Sequence, residues 1–123
     1  GAQGYVEWCM ILSNEGKPNP YDNFNSAPVL INPVTDEVLY TPLYYLLSHF
    51  SKFIRPGAHR IDISGEQAAG LIYTAALNPD NSIAVVVYNK TEEVLELELG
   101  LANESYPVKI AARALQTITF TRK

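Results

Sequence analysis

The stretch Thr41-Pro42-Leu43-Tyr44-Tyr45-Leu46-Leu47-Ser48-His49-Phe50-Ser51-Lys52-Phe53-Ile54-Arg55-Pro56-Gly57 divides the chain into two kinds of structure. It predicts one helix with both ends written in. Thr41 is placed to cap the first turn, and Pro42 at the first helical position gives up no hydrogen bond that the helix would have made. Apolar side chains fall at 43, 46, 47, 50, 53 and 54, the spacing of a single buried stripe. Pro56 disfavours helical geometry at Arg55, and Gly57 permits a sharp exit.

On the N-terminal side, Tyr5-Val6-Glu7-Trp8-Cys9-Met10-Ile11-Leu12 is a mostly apolar run of strand length. A run of this sort suits a strand buried on both faces, as in a parallel sheet. No βαβ partner precedes it within Gly1-Ala2-Gln3-Gly4, so the chain reads as a piece of something longer. Ser13 to Ala27 is a long Asn/Pro/Gly loop, and its aromatics Tyr21 and Phe24 argue against plain disorder. Pro28 to Pro33 and Glu37 to Tyr40 read as two short strands around a turn at Asn32-Pro33-Val34-Thr35-Asp36.

Past Gly57 the period changes to two. His59 to Ser64, Leu71 to Leu77, Ile83 to Tyr88, Glu92 to Leu99, Tyr106 to Ala111 and Gln116 to Thr121 are strand candidates with turn signals between them. Leu95, Leu97 and Leu99 alternate with Glu96 and Glu98, so that strand has one face to a core and one to water. Ile118 and Phe120 point inward on the last strand. Six such strands make an antiparallel β-sandwich preceded by one helix, a mainly β fold.

Composition narrows the function classes. A chain of 123 residues holds one core but not a barrel of eight strands and eight helices. Hydrophobic content of 47% with 18% charged residues fits a folded globular chain. The net charge of −4, with no Lys/Arg cluster, argues against a nucleic-acid partner. No apolar run approaches the roughly 18 residues of a membrane span. Cys9 is the single cysteine and cannot form an intramolecular disulfide. His49 and His59 have no metal-ligand spacing, and no phosphate-binding glycine loop is present, so no metal and no cofactor is expected. His49, on the flank of the helix stripe, reads as a packing histidine. Asn89-Lys90-Thr91 and Asn103-Glu104-Ser105 fit the N-glycan acceptor pattern.

Several segments occur together in one order: Tyr5-Val6-Glu7-Trp8, Gly16-Lys17-Pro18-Asn19, Asn23-Phe24, Pro28-Val29-Leu30-Ile31, Tyr44-Tyr45, His49 to Gly57, Asn78-Pro79-Asp80, and Val85-Val86-Val87 with Asn89. This order closely resembles the C-terminal end of a glucosylceramidase-like glycoside hydrolase of family thirty. In such enzymes an eightfold (β/α) barrel carries two catalytic glutamates and a β-sandwich packs beside it. The resemblance implies that Tyr5 to Met10 is the last barrel strand and residues 43 to 54 the last barrel helix. It divides the chain into a barrel remnant, 1–57, and a β-sandwich domain, 58–123. The complete enzyme would be a retaining β-glycosidase acting on a β-linked glucoside or glycolipid, in a secreted, periplasmic or lysosomal setting.

The family's two glutamates sit on earlier barrel strands and are absent here, so the chain by itself is expected to be inactive. Retaining hydrolysis needs two carboxyl groups about 5 Å apart. Glu7 lies beside Trp8 without a matching partner and receives no catalytic role. Glu15, Asp22 and Asp36 sit in turns, where a solvated side chain is expected. Two residues carry over as substrate contacts. Trp8 matches the tryptophan at the mouth of the last barrel strand, where an indole stacks on a sugar; read without the family, it is a half-buried core aromatic. Asn23 matches a loop asparagine whose amide can donate to and accept from sugar hydroxyls; read alone, it is a turn former. Cys9 stands where the pattern usually has asparagine, which removes a polar neighbour from the sugar site. Other readings are a non-catalytic sandwich that binds carbohydrate or a partner, and the second chain of a split glycosidase. The exposed stripe would be covered by the missing barrel portion or by self-association.

Overall fold

The computed structural model describes residues 4–21, 23–65 and 69–121. Asp22, Gly1-Ala2-Gln3 and the last two positions of the expected sandwich domain, 122–123, lie outside them. The chain forms two compact units, residues 1–48 and 49–123.

The first unit holds a three-stranded sheet in the order β1 (Ile11–Ser13), β2 (Val29–Ile31), β3 (Val38–Tyr40). β1 and β2 are parallel, with Ile11 opposite Val29 and Ser13 opposite Ile31. β2 and β3 are antiparallel, with Val29 opposite Tyr40. Leu12, Ala27 and Pro28 are buried around this small sheet. The strand expected from Tyr5 onward begins only at Ile11, and Tyr5, Val6, Trp8, Met10 and Ile11 are exposed. A strand needs a paired neighbour, and the ladder from β2 reaches back no further than the Met10 carbonyl, which accepts from the Val29 amide at 3.1 Å.

The β2–β3 turn is where it was expected. Asn32 Oδ1 accepts from the amides of Val34 (3.0 Å) and Thr35 (3.4 Å), an Asx turn that lets Asp36 adopt a φ of 57°.

The helix α1 spans Pro42–Ser51 and ends a turn before Ile54. Thr41 does not cap it in the expected way: its hydroxyl donates to the carbonyl of Ala27 at 3.0 Å, with that of Pro28 at 3.1 Å. The Thr41 hydroxyl therefore fastens the helix start to the entry of β2. The single buried stripe is not realised, since no helical residue is buried and Leu46 and Phe50 remain 48% and 38% exposed.

The second unit is a two-layer antiparallel sandwich. One sheet has the order β4 (His59–Ile61), β5 (Leu71–Leu77), β6 (Ile83–Asn89), β9 (Leu115–Phe120); the other pairs β7 (Leu95–Leu101) with β8 (Glu104–Ile110). β4 stops at Ile61, short of the expected Ser64. Between the layers, Ala75, Ile83, Val85, Val87 and Ile110 form the buried core, flanked by Leu97, Leu99, Leu101, Val108, Ile118 and Phe120. The Leu/Glu alternation of β7 works as expected: the leucines are half-buried, and Glu96 faces water, opposite Lys109 at 2.9 Å. Pairs this exposed contribute little.

Two buried asparagines organise the turns of this unit. Asn78 closes the helix exit, its Oδ1 accepting from the Arg55 amide (2.9 Å) and its Nδ2 donating to the Phe53 carbonyl (2.9 Å) and Ser82 Oγ (2.9 Å). Asn89 does the same at the far end of β6, as described below. His49 is a packing histidine: its Nδ1 lies 2.8 Å from the Thr117 hydroxyl.

Candidate functional site: an exposed tryptophan and its loop

Trp8 and Asn23 both lie in the first unit. Residues 4–10 run without regular structure, and within them Glu7 is held from two sides. The Tyr5 hydroxyl donates to its Oε2 and the Trp8 amide to its Oε1 (3.0 Å). The hydrogen bond to the Glu7 carboxylate holds the Tyr5 phenol above its ordinary value, with burial and the carboxylate charge acting in the same direction. Cys9 follows with a φ of 62°, a left-handed turn that separates Trp8 from the start of β1. The indole is 70% exposed, so Trp8 is not the half-buried core aromatic that its sequence context alone allows.

The loop from Ser13 to Ala27 is closed on itself by short-range bonds. Ser13 Oγ accepts from the Glu15 and Lys17 amides (3.3 and 3.1 Å), and the Ser13 amide donates to the Lys17 carbonyl at 2.6 Å. Asn19 is its organiser. Nδ2 donates to the carbonyls of Gly16 (2.7 Å) and Asn23 (2.9 Å), and Oδ1 accepts from the Tyr21 amide (2.8 Å). Gly16 has a φ of 76°, and a Cβ there would lie 2.6 Å from the Asn25 nitrogen. The loop crosses itself at that point, which only glycine permits.

Asn23 is exposed and its main-chain carbonyl is fixed by Asn19, while its side-chain amide has no hydrogen-bond partner among the described residues. No hydrogen bond joins Trp8 to Asn23 among the described residues. Sequence reasoning singled out Asn23 but not Asn19 as the residue that shapes the loop. The signal was present in Pro18-Asn19-Pro20, where a flanked asparagine has no role in a strand or helix.

The chemical groups on offer are the exposed aromatic face of Trp8 and, on the loop, the exposed residue Asn23. Glu15 and Asp36 are exposed, as expected of turn carboxylates, and no group of three or more His, Cys, Asp or Glu is placed to hold a metal ion among the described residues. In the second unit a cleft of about 830 Å³ is lined by Asn81, Leu101, Asn103, Tyr106 and Phe120 among others, with neither Trp8 nor Asn23 in its wall.

Comparison with known proteins bears on both units. Residues 2–54 match the glycosyl hydrolase family 30 TIM-barrel domain, and residues 57–118 match the glycosyl hydrolase family 30 beta sandwich domain. The lysosomal acid glucosylceramidase of Mus musculus is 35% identical over 97 residues, 79% of this chain and 19% of that protein. The putative glucosylceramidase 4 of Caenorhabditis elegans is 32% identical over 123 residues, 95% of this chain and 24% of that protein. Among solved structures, the endo-beta1,6-glucanase BT3312 superposes with a TM-score of 0.85 at 22% identity, covering 94% of this chain and 26% of that one, a likeness of fold. The chain thus spans between about a fifth and a quarter of the length of these relatives. With a barrel segment followed directly by the family's sandwich, the chain belongs to glycosyl hydrolase family 30.

Proposed function

We propose that this chain supplies the C-terminal part of a retaining β-glycosidase that cleaves a β-linked glucoside from a glycolipid, with residues 1–57 forming the end of the catalytic barrel and 58–123 its side sandwich. The observation that carries the reading is Trp8. A large aromatic left 70% exposed, on the segment that matches the family's barrel, leaves its ring free to stack on a ligand. A pyranose presents an apolar face of C–H groups to such a ring, and the Asn23 amide has the donor and acceptor needed for the neighbouring hydroxyls. The glucosylceramidase names of the relatives supply the substrate class.

In this reading the chain binds and positions, and the carboxyl pair that breaks the bond belongs to the remainder of the barrel. Glu7 takes no part in proton transfer, since both of its oxygens are already engaged by the Tyr5 hydroxyl and the Trp8 amide. The half-exposed stripe of α1 supports a covering partner as well. The barrel portion takes that place in the complete enzyme, and a second copy of the chain takes it when the chain is alone.

The test is kinetic. The purified chain alone releases no aryl alcohol from an aryl β-glucoside. Once the barrel portion is supplied, Trp8→Ala lowers kcat/KM about tenfold or more, the size expected from losing about 1.4 kcal/mol of stacking. Glu7→Gln leaves it nearly unchanged. Equal losses from the two substitutions, or hydrolysis by the chain alone that survives extensive purification, would overturn the assignment.

A further inference from the structure

The two triplets Asn89-Lys90-Thr91 and Asn103-Glu104-Ser105 both fit the Asn-x-Ser/Thr pattern, and the fold treats them oppositely. Asn89 is the last residue of β6 and is fully buried. Its Nδ2 donates to the carbonyls of Glu93 (2.7 Å) and Ala111 (3.0 Å), with that of Ile110 at 3.4 Å. Its Oδ1 accepts from the Thr91 amide (2.9 Å) and the Thr91 hydroxyl (2.8 Å). A sugar on Nδ2 would take one of the two hydrogens that make these bonds and would need room beside a packed core.

Asn103 sits at the tip of the β7–β8 hairpin, in the two-residue turn between Leu101 and Glu104. It is exposed, and its side chain makes no hydrogen bond among the described residues. It also stands on the rim of the 830 Å³ cleft, whose wall includes Leu101, Tyr106 and Phe120. The Tyr106 and Phe120 rings meet edge to face, 5.0 Å between centroids. A sugar ring joined to the Asn103 amide thus has an apolar surface beside it and solvent beyond it.

We propose that Asn103 is the N-glycan acceptor of this chain when it is translated into the lumen of the secretory pathway, and that Asn89 carries no glycan in the folded protein. The co-reactant is a lipid-diphosphate-linked oligosaccharide. Asn103 Nδ2 bonds to C1 of its reducing-end sugar and loses one proton. The bond from C1 to the phosphate oxygen breaks, and the lipid diphosphate leaves with the electron pair. In this proposal transfer takes place on the extended chain, before β7 pairs with β8; in the folded hairpin the Ser105 hydroxyl donates to Glu98 at 2.6 Å. The glycan at Asn103 is then tolerated when the hairpin closes, whereas one at Asn89 blocks the turn that closes on it.

Translation of the full chain, behind a cleavable signal sequence, into endoplasmic-reticulum microsomes tests the acceptor without requiring folding. The expected result is a glycosidase-sensitive increment in mass at Asn103 that both Asn103→Gln and Ser105→Ala abolish and Ser105→Thr retains. Secretion of the full chain from eukaryotic cells, limited proteolysis to select the folded fraction, and peptide mass spectrometry after deglycosylation in heavy-oxygen water then locate the glycan. An Asn103 peptide that stays unmodified in microsomes overturns the proposal. So does a glycan on Asn89 in the protease-resistant fraction.

Discussion

Replacing Asn89 by aspartate changes one side-chain nitrogen to oxygen and should unfold much of what the sandwich gains. The nitrogen lost is the donor to the Glu93 and Ala111 carbonyls at 2.7 and 3.0 Å, inside a side chain with no solvent exposure. Each hydrogen bond is worth about 1 kcal/mol net, and each polar group left buried without a partner costs about 1–3 kcal/mol. Two such contacts give roughly 4 kcal/mol, against the approximately 5–15 kcal/mol that holds an ordinary domain together. A carboxylate facing carbonyl oxygens adds repulsion, so the introduced acid should bind its proton more tightly when folded than when unfolded. The sign follows from linkage. A folded-state value raised above the unfolded one means that the penalty is smallest below about pH 4 and grows as pH rises toward the raised value. Asn89→Ala carries no such acid, so its penalty should be independent of pH. Urea unfolding followed by far-ultraviolet circular dichroism measures both, whereas tryptophan fluorescence would report on Trp8 in the other unit. An Asn89→Asp penalty below about 1 kcal/mol at pH 7, or one that does not grow from pH 4 to 7, would refute the reasoning.

Hydrogen exchange should be slowest in β6, which has paired strands on both sides and a buried run from Ile83 to Val87; slower exchange in Ile11–Ser13 than in Ala84–Val87 would contradict this. Hydrogen bonds from Ser82 hold the Asp80 carboxyl below its ordinary value, so its contribution is present above the usual carboxylate range and is lost as pH falls through the depressed value. The stability gap between the parent chain and Asp80→Asn should therefore close in acid, and a gap that widens there would be the wrong sign. For the chain alone, sedimentation across a wide concentration range should show self-association that Phe50→Asp weakens. A monomer throughout, with unaltered stability in that variant, would mean that the α1 stripe covers nothing.

The sandwich was the legible half of the molecule. β5 has the boundaries that its sequence predicts, and the Leu95-Leu97-Leu99 alternation falls on the core side as written, because in a one-sided sheet the period of burial is the period of the chain. What the sequence cannot carry is the presence of a neighbour. Leu46 and Phe50 mark which face of α1 is apolar, yet both are exposed, since amphipathic spacing states a preference and not a contact. Tyr5 to Met10 has the composition of a buried strand, but backbone pairing begins only where β2 supplies partners. Thr41 was legible as a residue at a helix start and not as one that bonds to Ala27, because that carbonyl is 14 positions away in the chain. At the candidate site, the exposure of Trp8 could not be read from its neighbours. The shaping role of Asn19 could have been, from the two prolines beside it.

The crossing of Gly16 over Asn25 gives the loop a hinge pin. The two residues close the loop into a ring, because a Cβ at position 16 would lie 2.6 Å from the Asn25 nitrogen, and Asn19 is a spoke from there to the Asn23 carbonyl. A methyl group at position 16 would push the ring open at its waist and transmit the displacement along that spoke. Asn23 would then move without being touched, and a substitution at a residue with no side chain would register as a displaced main-chain carbonyl seven positions away. Gly16, by having no side chain, is therefore the residue that fixes the bore of the loop.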